Sequence, residues 1–180
     1  MIKFRILESI DMNQIRLWRN EQLSILRTSY GLTQQSQLEF YNNKISNRDS
    51  NCRFWAVISG DKSLCGMVGL ENIQWDNRIA EISLITDPDK ANLIPNILKT
   101  LLEIAFDHIN LVSVFSEVYE CSPYLKLWEQ TSRMNNGMGV SIPLRKFHGG
   151  KYHDSTLFTF IRGVEVTNES TSLEPTSELN

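Results

Sequence analysis

The chain has 180 residues, 41% of them hydrophobic and 22% charged, with a formal net charge of −3. A chain of that length buries roughly 70% of its extended surface, which suits one globular domain. Glu165, Glu169, Glu174 and Glu178 lie in a stretch without lysine or arginine, so the rest of the chain is close to neutral. That balance argues against wholesale electrostatic binding to nucleic acid or membrane.

Taken in chain order, "KFRILESI" alternates as a first strand, with Phe4, Ile6 and Glu8 on the face opposite Lys3 and Arg5. Asp11 then reads as a helix cap, with Gln14 three residues on in a variant of the capping box. The helix carries "IRLWRN", Ile15 to Asn20. A second helix is expected after Thr33, where Leu38, Tyr41 and Ile45 share a face. "FWAVI" (54–58), "SGDK" and "LCGMVGL" (64–70) form a hairpin pattern, and "WDNR" (75–78) turns the chain into "IAEISLI" (79–85). From Pro95 to His108 the period becomes helical, with Pro95 tolerated in the first turn. A strand (111–118), a helix (124–131) and a final strand (155–161) follow. From Val164 the polar composition reads as a disordered tail, which divides the chain into a domain at 1–163 and a tail at 164–180.

Cys52, Cys65 and Cys121 are odd in number and widely spaced, which fits neither a disulfide framework nor a zinc ribbon. They read as reduced thiols in a cytoplasmic protein. The apolar run in "MIKFRILESID" is too short for a signal peptide, and no run of about 18 apolar residues could span a bilayer. No metal is assigned, because His148 and His153 are not at a convincing ligand spacing.

The element order β-α-α-β-β-β-α-β-α-β-β comes with four stretches in sequence: "IRLWRN", "GMVGLENIQWDNRIAEISLITDP", "LLEIAFDHINLVSVFSEVY" and "LRKFHGGKYHDSTLFTFIR". Together they resemble the GNAT superfamily of N-acetyltransferases over residues 2–162. The closest likeness is to the branch of ribosomal-protein N-terminal and nucleotide-amino-sugar acetyltransferases. The resemblance implies an α/β (α+β) domain: a mixed, mainly antiparallel twisted sheet flanked by helices, with splayed central strands. It implies acetyl-CoA as co-substrate, its pantetheine along Leu84, Ile85 and Thr86. The pyrophosphate would sit on amides at Lys90, Asn92, Leu93 and Ile94, where a helix N-terminus favours an anion.

The family pattern there is Gln or Arg, two residues, Gly, any residue, then Gly or Ala. It falls on Asp89, Asn92 and Ile94, so every motif residue differs, and Pro95 removes one amide. Lys90 is the compensating charge available. Where the family has a cofactor-binding Asn and an acidic Tyr, this chain has Cys121 and Trp128. An indole has no accessible pKa for acid catalysis, which leaves Tyr124, one turn earlier, as the candidate acid. Its plainer reading is a partly buried aromatic at a helix start.

Acyl transfer to an amine needs a base, an acid for the thiolate and donors for the oxyanion. Glu81, in "IAEISLI", is the candidate base; the alternative is an ion pair with Arg78 or a neighbouring strand. Trp18, Arg19 and Asn20 are candidates for the substrate pocket, against a reading in which Trp18 is core and Arg19 solvated. Arg145 and His148, beside the Gly-Gly turn, suit an anionic substrate such as a sugar nucleotide, or are merely solvated.

The expected function is an N-acyltransferase moving acetyl from acetyl-CoA to a primary amine by direct attack. The acceptor would be a small molecule such as an amino sugar, or a protein N-terminus; no membrane or specific nucleic acid is expected, and a homodimer is left open. The alternatives are a GNAT-fold binding or assembly module without CoA, and an enzyme with another acyl donor.

Overall fold

The computed structural model describes residues 2–163; the tail expected from Val164 lies outside the described residues. Seven strands form one sheet in the order β1-β2-β3-β4-β5-β7-β6. They are β1 (Lys3–Ile6), β2 (Arg53–Ile58), β3 (Leu64–Gln74), β4 (Ile79–Thr86), β5 (Ser113–Tyr119), β6 (Met138–His148) and β7 (Lys151–Ile161). All neighbours pair antiparallel except β4 and β5, which run parallel. The expected mixed, mainly antiparallel α/β architecture is the one observed.

Side chains alternate across each strand, so the sheet buries two faces. On one face Val68, Leu70, Ile82 and Val114 pack under α3 (Ile94–Glu103) and α4 (Leu125–Met134). On the other, Phe54, Ala56, Met67 and Ile85 pack with Leu7, Met12, Ile15 and Trp18 from the segment around α1 (Met12–Glu21). The fourth helix, α2 (Gln34–Phe40), lies on that second face and is capped by Thr33, whose hydroxyl accepts from the Ser36 amide at 3.1 Å.

Several expectations shift in detail. The first strand stops at Ile6, which is 80% exposed, and Leu7 takes the core position instead. Asp11 does not cap α1 through its side chain. It accepts the Glu8 amide at 2.9 Å and holds Arg5 at 2.7 Å, closing a box around the 3-10 turn Ser9–Asp11. In α2 the buried residue is Gln37, and Leu38 is turned outward. The helix expected over 95–108 is α3 followed by a π turn at Ile104–His108, and a 3-10 segment, Pro88–Leu93, precedes it. The last hairpin turns at Gly149 and Gly150, both with positive φ (59° and 79°), as a tight two-residue turn requires.

Gly69 shows why one glycine of β3 is needed for space. A Cβ there would lie 2.2 Å from Phe54 Cδ1 and 2.8 Å from the Arg53 carbonyl oxygen. Gly69→Ala is expected to destabilise the protein by about 2 kcal/mol, as over-packed cores do. Urea unfolding should show a lower midpoint at unchanged slope.

Candidate active site

β4 and β5 pair over only three residues, Ile79–Ser113, Ala80–Val114 and Glu81–Phe115. Beyond them the strands part, and the edge of β4 needs other partners. Ser116 Oγ lies 3.4 Å from the Ile82 carbonyl oxygen, and Gln22 Nε2 donates to the Thr86 carbonyl at 2.8 Å. By strand alternation the Leu84 backbone groups point into the same gap.

Two cavities occupy this splay. A small one, of about 80 Å³, is lined by Gln22, Leu84, Thr86, Ser122, Tyr124 and Trp128 among others. The larger, of about 490 Å³, lies toward α1 and α2. Ile25, Leu26 and Leu84 line both, so the turn at Leu23–Ile25 partly divides them.

The larger cavity has three carboxylates in its wall, Glu71, Glu81 and Glu117. Glu81 pairs with Arg27, not with Arg78, which instead holds Asn110. Glu117 takes Arg145 at 2.8 Å and the Ser155 hydroxyl at 2.7 Å. The Arg145 guanidinium holds the Glu117 carboxyl below its usual range, against the upward push of burial and with help from Ser155. Glu71 stands opposite Glu81 in the β3–β4 register. Burial pushes Glu71 upward, and Glu81 acts in the same direction.

The connection after α1 is strapped across the cavity mouth. Lys146 Nζ donates to the Leu26 carbonyl at 2.5 Å and to Ser29 Oγ at 2.7 Å. Cys121 Sγ reaches the Ser24 carbonyl at 3.6 Å, and Arg19 donates to Thr28 and to the Tyr30 carbonyl. Lys146 is buried although its neighbours are exposed, because a register shift between Ile142 and Lys146, with Leu144 at φ 55°, re-aims the strand.

The sequence-derived site residues are only partly brought together. Glu81, Arg19, Leu84 and Ile85 line the larger cavity, and Thr86 and Tyr124 the smaller. Trp18 is buried in the core, because its face of α1 packs over β4 and shares a cluster with Phe54, Ala56, Met67 and Ile85. Asn20 exchanges two hydrogen bonds with the Leu32 backbone, at 2.8 and 2.9 Å, and so ties a loop rather than lining the cavity. Arg145 is spent on Glu117, and His148 is exposed at the end of β6. Burial raises the Tyr124 phenol, with Asp87 adding to it, so the hydroxyl stays protonated as a donor.

The segment before α3 departs furthest from a glycine-built anion cradle. Ile94 and the side chain of Ile85 are buried core, and Leu93 packs against it. Asn92 is exposed and has no positive φ, so no glycine-like conformation is used there. The amides of Asp87, Asp89, Lys90 and Ile94 donate to Cys65, to the Asp87 side chain, to Asp87 and to Ala91 respectively. Lys90 Nζ turns to Ser63 Oγ, 2.6 Å away at the β2–β3 turn.

Residues 4–131 match the family model of the acetyltransferase (GNAT) domain. That is more than half of the chain, and the chain belongs to this family. Its fold is similar to that of spermidine N-acetyltransferase from Vibrio cholerae in complex with CoA and spermine, with a TM-score of 0.77 and 21% identity over 89% of this chain and 95% of that one. A dodecameric structure of spermidine N-acetyltransferase from Vibrio cholerae matches with a TM-score of 0.72 and 22% identity, over 89% and 93%. No curated protein sequence matches the chain. Among the described residues no helix is long and apolar enough to cross a membrane.

Glu71, Gln37, Glu117 and Arg27 line the larger cavity and Gln22 the smaller, and none of them stood out in the sequence; Lys146, from the basic cluster beside the Gly-Gly turn, lines neither and holds the strap. Counting back from the Trp75–Arg78 turn sets residue 72 against Glu81. The irregularity between Glu71 and Gln74, with Asn72 at φ 51°, moves Glu71 into that place.

Glu117 gives a pH prediction. Its folded pKa is depressed, so its stabilisation is complete above the ordinary Glu value of about 4.3 and is lost as pH falls through the folded pKa. Wild-type stability should therefore fall more steeply than that of Glu117→Gln below about pH 4.3, measured by denaturant midpoints at stepped pH.

Proposed function

We propose that the protein transfers the acetyl group of acetyl-CoA to a primary amine on a small cationic molecule, by direct attack in a ternary complex. The observation that carries this reading is the splay beyond Glu81, which opens into a cavity whose wall carries three carboxylates, Glu71, Glu81 and Glu117, against two guanidiniums, Arg19 and Arg27. The excess of carboxylate favours an ammonium ion. It supports a small aliphatic amine, the class to which spermidine belongs, over an anionic sugar nucleotide.

In this reading the pantetheine arm lies along the free edge of β4 at Leu84 and Thr86, and the thioester reaches the larger cavity past Ile25 and Leu26. The amine nitrogen attacks the thioester carbonyl, the C–N bond forms and the C–S bond breaks. Tyr124 is the donor placed on the cleft side, and its phenol passes a proton to the leaving thiolate. In this reading the pyrophosphate is held without a glycine cradle; the amides of Asp89 and Lys90 are engaged by Asp87 and that of Asp87 by Cys65.

A second reading, a GNAT-fold module without CoA, draws on one observation. The Gln22 carboxamide already occupies the Thr86 carbonyl and also donates to the Trp18 carbonyl at 3.0 Å. The arm and Gln22 therefore compete for one acceptor.

Calorimetry separates the two readings. Acetyl-CoA should bind the wild type with micromolar affinity, and Gln22→Ala, which removes the internal competitor, should tighten it about tenfold, or ~1.4 kcal/mol. Absence of heat at millimolar CoA in both proteins would sink the acetyl-CoA reading and leave the module or an enzyme with another acyl donor.

A further inference from the structure

Resting on the transferase reading, we propose that Glu71 receives the acceptor's ammonium group and takes its proton, with the Gln37 carboxamide oxygen as a second hydrogen-bond acceptor in the same cavity. Glu71 is the one carboxylate of the three that has no ion pair among the described residues. Glu81 is neutralised by Arg27 and touched by Asn72 Nδ2 at 3.4 Å. Glu117 is forked by Arg145 at 2.8 and 3.3 Å.

An unpaired, largely desolvated carboxylate is costly, and a like charge directly across the strand pair adds to that cost. Nothing in the β3–β4 pairing calls for a carboxylate at this position. A cation in the cavity would relieve both penalties. Gln37 points the same way independently. It is 2% exposed, lines the cavity from α2, and its Oε1 is a buried acceptor without a hydrogen-bond partner among the described residues. A lone acceptor in the same cavity as an unpaired carboxylate suits a group that is only a donor, as an ammonium is.

The groups facing Glu71 come from three elements. Glu81 and the Ser83 hydroxyl lie on β4, Arg27 follows α1, and Lys44 is in the turn after α2. Burial and then Glu81 raise the Glu71 pKa, while Arg27, Lys44 and Ser83 pull it down more weakly. The net rise makes Glu71 a stronger base than an exposed glutamate.

The ammonium gives one proton to Glu71, which later releases it to solvent. The free amine attacks the thioester, and its second proton goes to the thiolate by way of Tyr124. Amide, free thiol and one solvent proton result.

The test pairs kinetics with direct titration, using acetyl-CoA and 1,4-diaminobutane. In wild type, kcat/KM should fall on the acid side through a pKa above the usual glutamate range. Glu71→Gln should lower kcat about a hundredfold or more and abolish that limb, with acetyl-CoA affinity unchanged as the check on folding. Glu81→Gln should keep the limb and move it to lower pH, since a repelling charge is gone. Gln37→Leu should raise the amine KM about tenfold with a smaller effect on kcat.

Titration of 13C-labelled glutamate carboxyls, with Glu71 assigned by its loss in Glu71→Gln, should show a raised pKa that falls when the amine is added. A Glu71→Gln enzyme with kcat within threefold of wild type and the limb intact would overturn the proposal. So would a Glu71 signal that titrates normally and ignores the amine. A Glu71 signal that responds to the amine in a protein that acetylates nothing would keep the ammonium site and refute the transferase reading, along with the proton step.

Discussion

The structure depends on where β4 and β5 stop pairing. Three residues of parallel ladder fix the two strands at their starts, and α3 and α4 then hold them apart. Ile97, Leu98 and Leu101 of α3 are fully buried, and Trp128 of α4 stacks on Phe158 with ring centroids 5.9 Å apart. A sheet that opens in its middle exposes backbone donors and acceptors inside the protein, where each unmet group costs of order 1–3 kcal/mol. The fold supplies side chains to meet them, Ser116 at Ile82 and Gln22 at Thr86. A ligand with its own amides can replace such side chains, which is how a structural gap becomes a binding cleft.

The same opening governs the electrostatics. With the strands apart, side chains on the α1–α2 face of β3, β4 and β5 converge on one cavity. Most of the charge there is already matched: Arg27 on Glu81, Arg145 on Glu117. The strap after α1 is held by Lys146, whose ammonium also lies 5.7 Å from the Tyr119 ring centroid. These contacts join residues from distant parts of the chain, Arg27 to Glu81 and Lys146 to Leu26 and Ser29 among them, so the cavity exists only when the whole sheet is assembled.

Periodicity and turn chemistry were legible in the chain. "SGDK", "WDNR" and the Gly-Gly pair mark turns because few residues accept their backbone angles, and the switch from period two to a broad apolar face marks α3. Element order followed from these, and the resemblance to the GNAT family from that order together with four particular stretches. Helix starts were less legible. Asp11 looks like a cap for α1, yet an ion pair with Arg5 and a 3-10 turn claim its carboxylate, and Pro95 hides the fact that α3 begins one residue earlier.

The sequence by itself determined the sheet-forming segments, their order and the tight turns, because these are local properties of a few adjacent residues. Tertiary structure decided which polar side chains meet. The irregularity at Asn72 sets Glu71 opposite Glu81, and the one at Leu144 turns Lys146 inward. Each displaces a register by an amount that no local pattern encodes. Side-chain pairing across strands depends on that register and on long-range packing, which form together only as the core closes.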